Sequence, residues 1–161
     1  MLKIQTGIAT SRKSRYFGLR VLGIDYGEKR IGLAVCDEGG LAVSGLPTMT
    51  RKNKRHDMEI LSNLIKVHDI EKIVIGYPVR LDGSEGIQCA KVNRFAALLE
   101  ERFCLPVVKW SEAMSTKDAE EILMNSGVGW KKRKGKVDKL AACLILQGYL
   151  DASSRKTPHI E

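Results

Sequence analysis

A chain of 161 residues with 43% hydrophobic content is long enough to bury one core and too short for two full-sized lobes. Lys and Arg outnumber Asp and Glu by 27 to 19, and the formal net charge of +8 favours nucleic acid or another polyanion as partner. No C-x-x-C pair, no ligand spacing among His56, His68 and His159 and no apolar run long enough for a bilayer argue against a zinc module, a disulfide framework and a membrane protein.

The expectation is a soluble, cytoplasmic protein whose Cys36, Cys89, Cys104 and Cys143 are small core residues in a reducing compartment. Residues 1–19 carry Lys3, Arg12, Lys13 and Arg15 with no acid, and read as a basic, flexible extension. Val21 to Ile24, Ile31 to Cys36 and Leu41 to Leu46 are short, β-rich and separated by glycine-bearing turns, which predicts an antiparallel meander of three strands. Met58, Leu61 and Ile65 then put an apolar stripe on a helix from Lys54 to Val67.

Glu71 to Gly76 contains a continuous Ile-Val-Ile run, the pattern of a strand covered on both faces. A loop rich in Pro and Gly follows from Tyr77 to Gly86, and then a helix with Val92, Phe95, Ala96, Leu99 and Phe103 on its buried side. Pro106 to Trp110 forms the next strand, parallel to the previous one because the connection is a helical crossover. A short helix is expected from Thr116 to Met124 and a last one from Val137, with Leu140, Ala141, Leu144, Ile145 and Gly148 on one face. Between them, residues 127–136 read as a glycine-framed basic loop. There Trp130 would stack on a base while Lys131, Lys132, Arg133, Lys134 and Lys136 follow a phosphate backbone, unless the run is simply a solvated face.

The class is therefore α/β, a mixed sheet of five strands, three antiparallel and then parallel, flanked by helices. Three acids fall near strand or helix ends: Asp25 closes the first strand, Glu112 lies just past the last, and Asp138 opens the final helix. An acid at the mouth of an apolar strand is costly to desolvate unless it meets a cation, a metal or several donors. Two Mg²⁺ ions roughly 4 Å apart, held by such carboxylates, activate water and stabilise the leaving oxygen of a phosphodiester. Asp25 would bridge them, and Glu112 and Asp138 would each complete one coordination sphere. Each acid also has a plainer explanation: Asp25 can cap the Gly27 turn, Glu112 can be a surface acid, and Asp138 can favour a helix N-terminus.

The segments Val21-Leu22-Gly23-Ile24-Asp25-Tyr26-Gly27, Lys29-Arg30-Ile31-Gly32-Leu33-Ala34, Gly76-Tyr77-Pro78 with Asp82-Gly83-Ser84-Glu85-Gly86, and Val137-Asp138-Lys139-Leu140-Ala141-Ala142 resemble the YqgF (RuvX) family. The resemblance spans residues 20–151 and implies an RNase H-like nuclease domain over 20–152, with a tail over 153–161. It implies a cytoplasmic endonuclease dependent on Mg²⁺ or Mn²⁺, with Asp25, Glu112 and Asp138 as metal ligands. Lys29, Arg30 and the 130–136 segment would then hold the nucleic acid. The implied partner is pre-16S rRNA, also on the pre-ribosome, during ribosome biogenesis; branched DNA, as for a Holliday junction resolvase, is the alternative, and a dimer would favour it.

One departure stands out. The family shows Asp-Glu-Arg before a Ser/Thr-Thr pair, where this chain has Ser111-Glu112-Ala113-Met114-Ser115-Thr116. Glu112 is kept while its flanking acid and Arg are replaced, so a binding protein with weakened catalysis is a competing expectation. A nucleotide-binding phosphotransferase is a third, because an Asp-x-Gly turn between strands also occurs in the actin and sugar-kinase superfamily. Those proteins clasp nucleotide between two such domains, and the chain has length for one and no P-loop.

Overall fold

The computed structural model describes residues 19–80, 82–111, 121–122, 124–125 and 130–155, giving the backbone alone for 130–134 and 155. The strands are β1 (Val21–Asp25), β2 (Arg30–Cys36), β3 (Val43–Thr50), β4 (Lys72–Gly76) and β5 (Val107–Trp110), and the helices α1 (Lys54–Val67), α2 (Ile87–Phe103) and α3 (Trp130–Arg155). They form one sheet in the order β3-β2-β1-β4-β5. β1 pairs antiparallel with β2 and β2 with β3, whereas β4 runs parallel to β1 and β5 parallel to β4. The expected mixed sheet is thus the one found.

Alternation along β1 divides the molecule into two layers. Leu22 and Ile24 join Ile31, Leu33, Ile73 and Ile75 under α1 and α2. Val21 joins Ala34, Cys36 and Val74 on the opposite face, under Ala142, Ile145 and Leu146 of α3. The α1 start is fixed by Asn53, whose side chain accepts from the His56 N–H at 2.9 Å. α2 ends at Cys104, which adopts the left-handed conformation at φ 53° and is exposed, so this cysteine is not the core residue expected. Cys36 and Cys89 are buried and Cys143 is partly so.

The larger boundary differences from the sequence reading fall in β3 and the last helix. β3 runs from Val43 to Thr50 rather than from Leu41, because Leu41 lies in a turn tied by Asp37 and the strand continues past Pro47 through a register shift against β2. An edge strand with a bulge tolerates a proline that a central strand does not. The basic segment, expected to loop, is helical from Trp130, and α3 begins well before Val137. Lys and Arg are good helix formers, and Gly135, which suggested a break, is held by its carbonyl accepting from Thr48 Oγ1 at 2.7 Å. Asp138 therefore lies two turns inside α3 and does not open it.

Of the short helix expected over 116–124, residues 121–122 and 124 are described and helical, while Glu112 and 113–120 lie outside the described residues, as do 1–18. Among the described residues no helix is long and apolar enough to cross a membrane.

Candidate active site

Because β1, β4 and β5 are parallel, their carboxyl ends share one edge of the sheet, the usual location of sites in such folds. The pairings Ile24 with Ile75 and Gly76 with Trp110 set Asp25, Gly76 and Trp110 level along that edge. Ser111 follows Trp110, so the chain toward Glu112 leaves two strands from Asp25, roughly 10 Å away at the usual strand spacing.

Asp25 has the parity of Val21 and Gly23 and so lies on the α3 face. Its partner across the antiparallel ladder is Gly32. A Cβ on Gly32 would run into the backbone carbonyl of Asp138, and one on Gly23 would lie 2.8 Å from Leu146 Cβ. Bare backbone at these positions lets α3 settle onto the sheet and carries Asp138 to the end of β1. The sequence signal was present as glycines inside strands, but their partner was not readable.

The two acids feel each other. The Asp25 carboxyl is pushed up to about 7, first by burial and then by the negative charge of Asp138. No hydrogen bond or cation reaches the Asp25 carboxylate among the described residues. Asp138 differs: Arg30 Nε donates to its Oδ2 at 2.8 Å. The structure thus brings together Asp25, Asp138 and Arg30 from the sequence-read set, while Lys29 is exposed on the adjoining turn.

Sequence reasoning missed the clamp on that turn. Arg51 Nη1 donates to Tyr26 Oη at 3.0 Å and to the Gly27 carbonyl at 3.2 Å, directly after Asp25. Its Nε donates at 3.1 Å to Asp57, a carboxylate only 1% exposed that also accepts from the Lys52 N–H. The guanidinium lies over the Tyr26 and Phe95 rings at 5.1 and 5.5 Å. The alternation of Arg51 and Asp57 around an N-cap gives no hint that both reach back to β1.

A half-buried carboxylate that no donor meets among the described residues, beside a second one held by Arg30, offers hard oxygens of the kind that suit a divalent cation such as Mg²⁺ or Mn²⁺. Among the described residues no group of three His, Cys, Asp or Glu could hold a metal; Glu112 lies outside them.

A family model described as "RuvX: Holliday junction resolvase" matches residues 19–152. A protein of Syntrophus aciditrophicus (strain SB), named "Putative pre-16S rRNA nuclease", is 59% identical over 138 residues, covering 86% of this chain and 92% of its own. One of the same name from Halothermothrix orenii is 39% identical over 137 residues, covering 85% and 98%. Among solved structures, T. thermophilus RuvC in complex with a Holliday junction substrate superposes with a TM-score of 0.51 at 21% identity, over 84% of this chain and 96% of that one. The fowlpox virus resolvase with its Holliday junction DNA gives 0.52 at 9% identity, over 84% and 99%. These two likenesses show a shared fold.

Proposed function

The chain belongs to the RuvX family, and from that membership we propose that it is an endonuclease hydrolysing phosphodiester bonds of RNA, in maturation of the 5′ end of pre-16S rRNA in the cytoplasm. The observation that carries the reading is the Asp25 carboxylate, raised to about 7 at the sheet edge with Asp138 as its neighbour. Asp25, Asp138 and Glu112 would hold the cation. When bound, Mg²⁺ or Mn²⁺ supplies Lewis-acid activation of the phosphodiester and of the attacking water.

The chain's own residues supply the rest. The Arg51 clamp fixes the backbone just past Asp25, so the carboxylate is presented from a rigid strand end. Lys29, Arg30, Lys131, Lys132, Arg133, Lys134 and Lys136 supply positive charge to the polymer, with Trp130 at the start of α3. That basic run belongs to the same helix as Asp138. Names of the relatives favour RNA over branched DNA as substrate.

The test is cleavage of an end-labelled RNA spanning a pre-16S rRNA terminus, with Mn²⁺ or Mg²⁺ present or chelated, for the parent and Asp25→Asn. A four-way DNA junction runs in parallel. Metal-dependent RNA product lost in the variant supports the reading; cleavage of the junction alone transfers it to resolvase activity. Binding without product from either substrate would leave a nucleic-acid-binding protein, in line with Ser111 and Ala113.

A further inference from the structure

Arg30 stands where a cation at Asp138 would compete with it. Its backbone is fixed as the first residue of β2, paired with Thr50. Only its Nε is engaged, on Asp138 Oδ2, and among the described residues no other acceptor meets the guanidinium. The side chain is 39% exposed and that of Asp138 21%, so the pair opens to solvent rather than being sealed in the core.

Arg30 and a divalent cation are both positive and both seek the Asp138 carboxylate, so each weakens the other's hold on it. An arginine is also the side chain best suited to exchange a carboxylate for a phosphate, since both fit its planar fork. We propose that Arg30 is an internal counter-ion that moves from Asp138 to a substrate phosphate, so that divalent-cation binding at Asp25 and Asp138 and nucleic-acid binding reinforce each other. This rests on the metal-site reading above. Without nucleic acid, Arg30 holds Asp138 and keeps cation affinity low; a phosphate draws Arg30 away and frees the carboxylate. By linkage the cation must tighten nucleic-acid binding by the same factor.

The test is calorimetric titration of Mn²⁺ into the full-length parent, Arg30→Gln, Arg30→Lys and Asp25→Asn, without nucleic acid and with the fold of each checked by thermal melting. Arg30→Gln is expected to bind Mn²⁺ at least about fivefold more tightly than the parent, with Arg30→Lys between them. Anisotropy of a labelled phosphorothioate RNA, with Mn²⁺ or with chelator, reads the other half: Mn²⁺ tightens binding to the parent by a larger factor than to Arg30→Gln. Equal Mn²⁺ affinity in the parent and both Arg30 variants, or equal tightening of RNA, overturns the exchange while leaving the site. Absence of Mn²⁺ binding in every protein, or unchanged binding in Asp25→Asn, overturns the site itself and the exchange with it.

Discussion

The backbone of α3 at Asp138 rests where a side chain of Gly32 would stand. Gly32→Ala therefore has to push the helix off the sheet, because the obstacle is backbone and not a flexible side-chain tip. Overpacking of this kind costs about 1–3 kcal/mol. Urea unfolding should show that loss together with impaired cleavage, since the same displacement separates Asp138 from Asp25. Full activity in a folded Gly32→Ala would contradict the placement of α3.

Asp25 makes stability depend on pH in an unusual direction for an acid. Its native carboxyl titrates at about 7, well above the ordinary carboxylate range. Between about pH 4 and 7 the unfolded chain has lost the proton that the native state keeps, so the stability it confers is full below that window and falls as pH rises through it. In chelator, the parent should lose about 3 kcal/mol across this interval relative to Asp25→Asn. At pH 8 Asp25→Asn should melt higher than the parent, and a divalent cation should narrow the gap. Matching pH profiles for the two proteins would remove the argument.

Removing Arg51 leaves Asp57 buried and without its guanidinium. Breaking such a pair costs about 3–5 kcal/mol, so Arg51→Ala should be strongly destabilised in chemical denaturation. Arg51→Lys should recover little, because one ammonium cannot serve Asp57, Tyr26 and the Gly27 carbonyl from three directions. Recovery of parent stability in the lysine variant would show that charge alone matters there.

Neutralising Lys131, Lys132, Arg133 and Lys134 together should weaken RNA binding and flatten its salt dependence. If all four contact phosphates, the slope of log affinity against log salt should become shallower by about 3, given roughly 0.7 per contact on a single strand. Helix formation by the run should be unaffected in circular dichroism. An unchanged slope would assign the run to a solvated face.

The meander, the parallel pairing of β5 with β4 and the helices α1 and α2 were readable because period and burial agree in those segments. The Ile-Val-Ile run of β4 could only be covered on both faces, and the stripe of α1 ends where its caps stand. The start of α3 was misread because Gly135 punctuates a run whose individual residues favour helix, and the Thr48 contact that supports Gly135 comes from a distant strand. Asp25 and Asp138 were legible as acids near a strand end and a helix start and were expected to share one site; what was not legible is the means, the bare backbone of Gly32 and Gly23 that lets α3 settle against β1. Arg30 was read as a contact for phosphate, whereas the structure places it on Asp138.

The pairing of Arg30 with Asp138 joins residues 108 apart in the chain, and among the described residues α3 is the helix that packs on that face of the sheet. During synthesis at about 5–20 residues per second, the first acid waits on the order of 5–20 s for the second to be made. A nascent chain thus has the meander and the Asp25 end of the site but no helix to complete it. Asp25 and Asp138 come together only when most of the chain has been made, a delay written into the order of its secondary structure.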